Sequence, residues 1–392
     1  MKKIHKILLM FLFVLTFFLV MPSSVFCHST GDTVHFYNLT IGRYDEDGNI
    51  NFIRQKTANY NGKSLASLVK NNSKKTIILP KGTLNIDCAL EIGDNTTIIA
   101  EGTTVYMTNP NKLIVNNKVD KTGYASTKNV TIKGGTWKIK DNKKAKRSTS
   151  TFRFAHASNI KLIGCKIDTN YRSHAIELIA CKNVTVDKCT LLAYGKQKKN
   201  SLEEALQIDL ATKATAPSVA KRGSKYVKGQ TCYNIIVKNS TIRGSRGICA
   251  NKTTTQRNKY IKKYHRKITL SNNRIIGTTS EAVALHNTAG MKVENNTITS
   301  KGKRTNSVYS IGLNIASFGK NNITRKYTNV IKNNTIKGGR QALLIYSYKG
   351  NKYGKTTIMN NKLYAKKGKK NAKKIKGCTK IVQKGNRLYK WR

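Results

Sequence analysis

Acidic residues are the conspicuous shortage of this chain. Its 392 residues include 18 Asp plus Glu against 73 Lys plus Arg, a formal net charge of +55 at pH 7. From residue 295 onward there is no acid at all, against 25 Lys plus Arg. An acidic surface is therefore excluded. The simplest use of such charge is a polyanionic partner: acidic polysaccharide, anionic cell wall, membrane headgroups or nucleic acid. Charge alone does not choose among them. No CxxC pair occurs and no His spacing suggests zinc. No apolar stretch of membrane-spanning length follows the first residues. With 39% hydrophobic residues a sizeable core is available, so wholesale disorder is excluded. The length suits two or three small domains or one long repetitive one.

Lys2, Lys3 and Lys6 precede an apolar run from Ile7 to Met21, which Pro22, Ser23 and Ser24 break. That run of 15 residues is short for a bilayer span and reads as a signal peptide over residues 1–27, with Val25 and Cys27 at the small-residue positions. An uncleaved anchor is the alternative reading of this segment, and lipidation of Cys27 is opposed by the size of Phe26. The expected mature chain carries no transmembrane span and is secreted or held at the cell surface. Its remaining seven cysteines are widely spaced in a large chain and read as buried thiols rather than a disulfide scaffold.

Internal repetition organises the rest. "KNVTIKGGTW" from Lys128, "SNIKLIGCKI" from Ser158, "KNVTVDKCTL" from Lys182, "YNIIVKNSTI" from Tyr233, "RKITLSNNRI" from Arg266 and "YTNVIKNNTI" from Tyr327 share one pattern. The closing hydrophobes recur at spacings of 23 to 38 residues, apart from one gap of 51 that holds one coil plus an insertion, or two coils. Two places before each closing hydrophobe stand Gly135, Cys165, Cys189, Ser240 and then Asn273, Asn296, Asn334, Asn361 and Asn386. Five consecutive Asn in a turn are the signature of an amide ladder. A second element follows most repeats, as in "HAIELI" from His174, "EALQID" from Glu204 and "EAVALH" from Glu281. Its period-two alternation points Ile176, Leu206, Ile248, Val283 and Leu343 inward, with Leu178, Ile208, Ala250, Leu285 and Ile345.

Short strands repeating every 22–30 residues with no helical repeats between them predict an all-β chain. The predicted fold is a single-stranded right-handed parallel β-helix, a solenoid of roughly ten to twelve coils at about 4.8 Å per coil. Residues 28–60 read as a leader or edge element, 61–125 as an N-terminal helical cap and first coils, and 126–392 as the β-helix repeats.

"LPKGTLNI" with "LEIGDNTTIIAEGTTV", "HASNIKLIGCKI" and "ACKNVTVDKCTL" resemble the secreted pectate-lyase-like superfamily over roughly residues 60–392. The resemblance implies the same right-handed β-helix. It implies a polysaccharide lyase, a glycoside hydrolase, an epimerase or a non-catalytic adhesin or phage-tail module. The polygalacturonase set of Asn-Thr-Asp, paired Asp, Gly-His-Gly and Arg-x-Lys does not occur here.

Aligning the second elements collects one stripe: His174, Glu177, Glu204, Gln207, Asp209, Arg246, Asn251, Glu281, His286 and Asn314. Between residues 150 and 330 there are eight acids, and four of them join it. Glu177 and Asp209 are the candidate catalytic pair, since glycoside hydrolysis needs two carboxylates about 5.5 Å apart for retention or roughly 6.5–9.5 Å for inversion. A lyase would use His174 or His286 as base, with Arg246 clamping the uronate carboxylate. Glu204, Gln207, Arg246, Asn251, Glu281 and Asn314 are the candidate substrate-binding residues. Glu177, Glu204 and Asp209 are the candidate ligands of Ca²⁺ if the chain is a lyase; otherwise no cofactor is expected. The basic tail interleaves Tyr364, Tyr389 and Trp391 with Lys, a composition suited to stacking on sugars and pairing with anions. The expected function is action on an acidic or wall-associated polysaccharide as a lyase or glycoside hydrolase; the alternative is a non-catalytic surface carbohydrate-binding or adhesion module. The expected partner is that anionic polysaccharide or cell-wall polymer, with no specific nucleic acid, and the chain is expected to be a monomer.

Overall fold

A short run of alternating β-branched residues satisfies its backbone by pairing with another such run. In the computed structural model these runs pair in parallel, each with its counterpart one coil away. The structure describes residues 28–109, 111–140, 150–169, 174–193, 203–251, 254–255, 259–260, 263–302, 308–319, 323–348 and 351–392. The leader read in residues 1–27, Cys27 included, lies outside them.

Three sheets of 15, 11 and 10 strands wrap one core. A representative coil runs through Lys182–Asp187 in the first sheet, Thr190–Ala193 in the second and Glu204–Asp209 in the third. The next runs through Tyr233–Lys238, Thr241–Gly244 and Arg246–Ala250. The chain is a right-handed parallel β-helix of ten three-stranded coils, followed by the pair Ile381–Lys384 and Arg387–Lys390. The 51-residue spacing is one coil plus an insertion, because Lys182 pairs with Tyr233 and Thr190 with Thr241.

The inward residues stack in columns. Ile176, Leu206, Ile248, Val283, Leu313 and Leu343 follow one another across successive third-sheet strands, all fully buried. Each column trades about 25 cal/mol of hydrophobic free energy per Å² of apolar surface buried. At the N-terminal end, Thr33–Phe36 and Leu39–Tyr44 pair antiparallel, and Ile50–Phe52 continues the first sheet onto Lys75–Ile78. The helix Ala58–Lys70 begins at Thr57, whose hydroxyl accepts the Tyr60 N–H at 3.2 Å. It buries Leu65, Leu68 and Val69 and covers the open end of the core.

The predicted ladder sits in the turn between the first and second sheets. Asn386 Oδ1 accepts from the Asn361 N–H at 3.1 Å and Nδ2 at 2.9 Å. Asn361 does the same for Asn334 at 3.0 and 2.9 Å, and Asn334 for Asn296 at 2.9 and 3.0 Å. Asn296 does so for Asn273 at 2.9 and 3.0 Å, and Asn273 Oδ1 takes the Ser240 N–H at 3.0 Å. Earlier rungs change chemistry: Ser240 Oγ accepts the Cys189 N–H, and Cys189 and Cys165 are buried thiols. Gly135 begins the column because a Cβ there would lie 2.8 Å from that of Ala100. All seven described cysteines are free.

Candidate functional site on the third sheet

Inward alternation in the third sheet leaves every other residue pointing out. One outward column runs Arg153, Glu177, Gln207, Cys249, Ala284 and Asn314. The neighbouring column places Asp209 beside Ile179, with Asn251 and His286 on the following rungs. The sequence-derived stripe takes Glu177 and Asp209 as one outward row. The register corrects this: Gln207 lies opposite Glu177, and Asp209 lies one pleat further along.

The insertion after Asp209 builds one wall. Its short helix Pro217–Ala220 and the turn Ser224–Val227 bring Ala216, Val219 and Tyr226 against Ala155, Ile179 and Ala180 on the sheet's outer surface. His156 ties this wall down, with Nδ1 2.8 Å from the Gly123 carbonyl and Nε2 2.7 Å from the Tyr226 carbonyl.

Between wall and sheet lies a cavity of about 340 Å³ lined by Lys112, Ser150, Arg153, His174, Glu177, Gln207, Asp209, Thr215 and Asn251, among others. The structure thus brings together His174, Glu177, Gln207, Asp209 and Asn251 from the sequence-derived stripe. It leaves Glu204, Arg246, Glu281, His286 and Asn314 outside the lining. Lys112, Ser150 and Arg153 are additions. Arg153 was legible, because "FRFA" alternates Phe152 and Phe154 into the core and leaves Arg153 outside. Lys112 and Ser150 lie outside any strand and carried no periodic signal.

The two cavity carboxylates live in different environments. Glu177 Oε2 accepts from Ser150 Oγ at 2.7 Å and faces Arg153 Nε at 3.2 Å. Asp209 is buried, and Gln207 Nε2 donates to its two oxygens at 3.1 and 3.2 Å. Burial first, then the charge of Glu177, push its carboxyl up to about 7. Burial and then Arg153 lower the Lys112 ammonium from its ordinary value.

The charges at the starts of the strands satisfy one another. Arg246 Nη1 lies 3.0 Å from Glu204 Oε1, and its Nη2 lies 3.1 Å from Glu281 Oε2. All three side chains are buried. Burial raises the Glu204 carboxyl above its ordinary value, against the pull of Arg246. Glu281 would be raised by burial too, but Arg246 and Ser280 hold it below its ordinary value. His174 Nδ1 lies 3.3 Å from Glu204 Oε2, and Asn314 Nδ2 donates to Glu281 Oε1 at 3.2 Å. His286 is buried edge-on to Phe318 with ring centroids 5.5 Å apart. Among the described residues no group of three or more His, Cys, Asp or Glu is gathered as a metal site: Glu177 and Asp209 share the cavity, while Glu204 turns to Arg246.

At the far end of the second sheet, Tyr364 and Tyr389 stack at 4.6 Å. Lys337 lies 5.4 Å above Tyr364, and Lys366 lies 4.9 Å above Trp391. No described helix is long and apolar enough to cross a membrane.

No protein-family model and no curated protein matches the sequence. Solved structures match its fold. The Streptococcus pneumoniae surface protein and adhesin PfbA shares 15% identity over 84% of this chain and 93% of its own, with a TM-score of 0.57. The polygalacturonase from Erwinia carotovora ssp. carotovora shares 13% identity over 93% and 98%, with a TM-score of 0.51. The chain therefore has a right-handed parallel β-helix fold, shared at low identity with a surface adhesin and a polygalacturonase.

Proposed function

We propose that this chain is an exported β-helix module that binds an anionic or wall-associated polysaccharide without cleaving it. The observation that carries this reading is the state of its carboxylates. Glu177 is held by Arg153, Glu204 and Glu281 by Arg246, Asp187 by Lys238, and Glu294 by Lys292 and Lys332. Asp209 is buried against Gln207, and burial followed by the charge of Glu177 pushes its carboxyl up to about 7. Six of the 18 acids are thus engaged within the protein, among them every acid of the sequence-derived stripe, and a large excess of cations faces outward with aromatic rings among them. A polyanionic glycan complements that surface. The pneumococcal protein's name as a surface adhesin is in keeping with this reading.

One observation favours hydrolysis as a second reading. Asp209, raised to about 7, and the ion-paired Glu177 line one cavity, and carboxyls whose environments drive their protonation apart suit acid and base roles. Incubation with a panel of uronic-acid glycans separates the two. Retained binding with no new reducing ends and no unsaturated product supports the binding module. Turnover that Glu177→Gln and Asp209→Asn each abolish, with the fold intact by circular dichroism, replaces it with the hydrolase.

A further inference from the structure

The outer face of the first sheet carries a second row of amides that the third-sheet cavity does not involve. Asn95, Asn129, Asn159, Asn183 and Asn234 occupy one register position in successive coils. All have left-handed backbones, φ between 54° and 59°, a conformation Asn tolerates better than most residues. Each Nδ2 from Asn129 onward donates to the preceding Asn Oδ1, at 2.8, 3.0, 3.1 and 2.9 Å in turn. Unlike the ladder in the other turn, this one is at the surface, and each amide has a further N–H beyond the one given to its neighbour. Beside it, Thr131, Lys161, Thr185 and Ile236 complete a groove of about 410 Å³.

The amide row ends where Lys267 takes the same left-handed position, φ 56°. Here cations converge on one ring: Arg266 lies 5.1 Å, Lys267 5.5 Å and Lys182 5.7 Å from the Tyr233 centroid. Lys182 is also 5.9 Å from the Tyr124 ring. Among the described ion pairs, none joins Lys182, Arg266 or Lys267 to a carboxylate. Three like charges gathered around an aromatic face, with no anion of the protein between them, form a receptor for an anionic group.

We infer that this groove is a second glycan-binding face, on which an acidic polysaccharide lies along the helix axis. Its hydroxyls meet the stacked amides, and its carboxylate or sulfate meets Lys182, Arg266 and Lys267, with a sugar ring against Tyr233. The row offers polar groups at one per coil, a spacing that an extended polymer follows and a compact ligand does not. The inference does not depend on the third-sheet cavity and gives the proposed polyanion binding a place on the first sheet.

The test is binding of the full chain to heparin and to polygalacturonate at fixed salt, with double-stranded DNA as a second polyanion. The combined change Lys182→Gln, Arg266→Gln and Lys267→Gln is compared with Lys56→Gln, Lys63→Gln and Lys74→Gln, which removes equal charge near the N-terminal helix. The first variant is expected to weaken at least one glycan about tenfold or more, and the second less than about threefold. Thr185→Trp fills the groove without altering charge and is expected to weaken the same glycan. Equal losses in the two charge variants would reduce the effect to net charge and overturn the site. So would undiminished binding by Thr185→Trp. Equal losses on DNA and glycan would also overturn the glycan assignment. The site rests on the function proposed above: a wild-type chain that binds neither glycan overturns that reading, whereas glycan binding that the triple variant and Thr185→Trp both retain overturns the site alone.

Discussion

Asp209→Asn tests whether the third-sheet cavity holds a neutral acid. The carboxyl is pushed from an ordinary 3.8 up to about 7, by burial first and by Glu177 second. A group raised on folding contributes stability fully present below its unfolded value and lost as pH rises through the folded one. Here that window runs from about 3.8 to about 7. Three pH units at 1.36 kcal/mol per unit amount to about 4 kcal/mol. Roughly 1.6 kcal/mol of this is already lost at pH 5, leaving about 2–3 kcal/mol between pH 5 and pH 9. The Asn variant carries no such term. Urea unfolding of both proteins across that range should show the variant gaining about 2–3 kcal/mol on the wild type, with most of the change below pH 7. Glu177→Gln removes the neighbouring charge and should move the upper end of the window to lower pH. Parallel stability curves for wild type and Asp209→Asn from pH 5 to 9 would refute the buried neutral acid and, with it, the acid role in the hydrolytic reading.

Asn334→Ala removes the acceptor of the Asn296 N–H and side chain together with the donor to the Val293 and Lys332 carbonyls, and should cost about 1–3 kcal/mol by thermal unfolding. An unchanged melting temperature would count against the ladder. Buried His265 faces the Cys232 N–H at 3.1 Å through Nδ1, and burial lowers it to about 4. Its contribution is therefore complete above about 6.5 and lost as pH falls towards 4, about 3 kcal/mol in all, and His265→Gln should flatten acid destabilisation over that interval. His156→Ala should loosen the insertion, read as faster amide exchange over residues 216–227, while the distant turn around Asn334 keeps its protection.

The coil was legible because its determinants are local and repeated. Alternation in "HAIELI" and "EALQID" assigns Ile176, Leu178, Leu206 and Ile208 to the core whatever lies in the next coil, and the same Asn in the same turn must meet its copy wherever the coils stack. The surface amide row was already written in the Asn of "KNV", "SNI" and "YNI", but its contacts became visible only once register placed Asn129, Asn159, Asn183 and Asn234 side by side. The site depended on distant arrangements. Asp209 and Glu177 differ by one pleat because Ile208 must follow Leu178 into the core. Arg246, an apparent ligand clamp in the sequence, is consumed by Glu204 and Glu281 from the coils on either side. The cavity wall comes from an insertion whose seat on Ala155 and Ile179 has no periodic signature. Sequence determined which residues face in, since burial of apolar side chains follows a period of two along each strand. Tertiary structure decided which outward groups meet and which charges survive, since both depend on register between coils and on water excluded by segments far away in the chain.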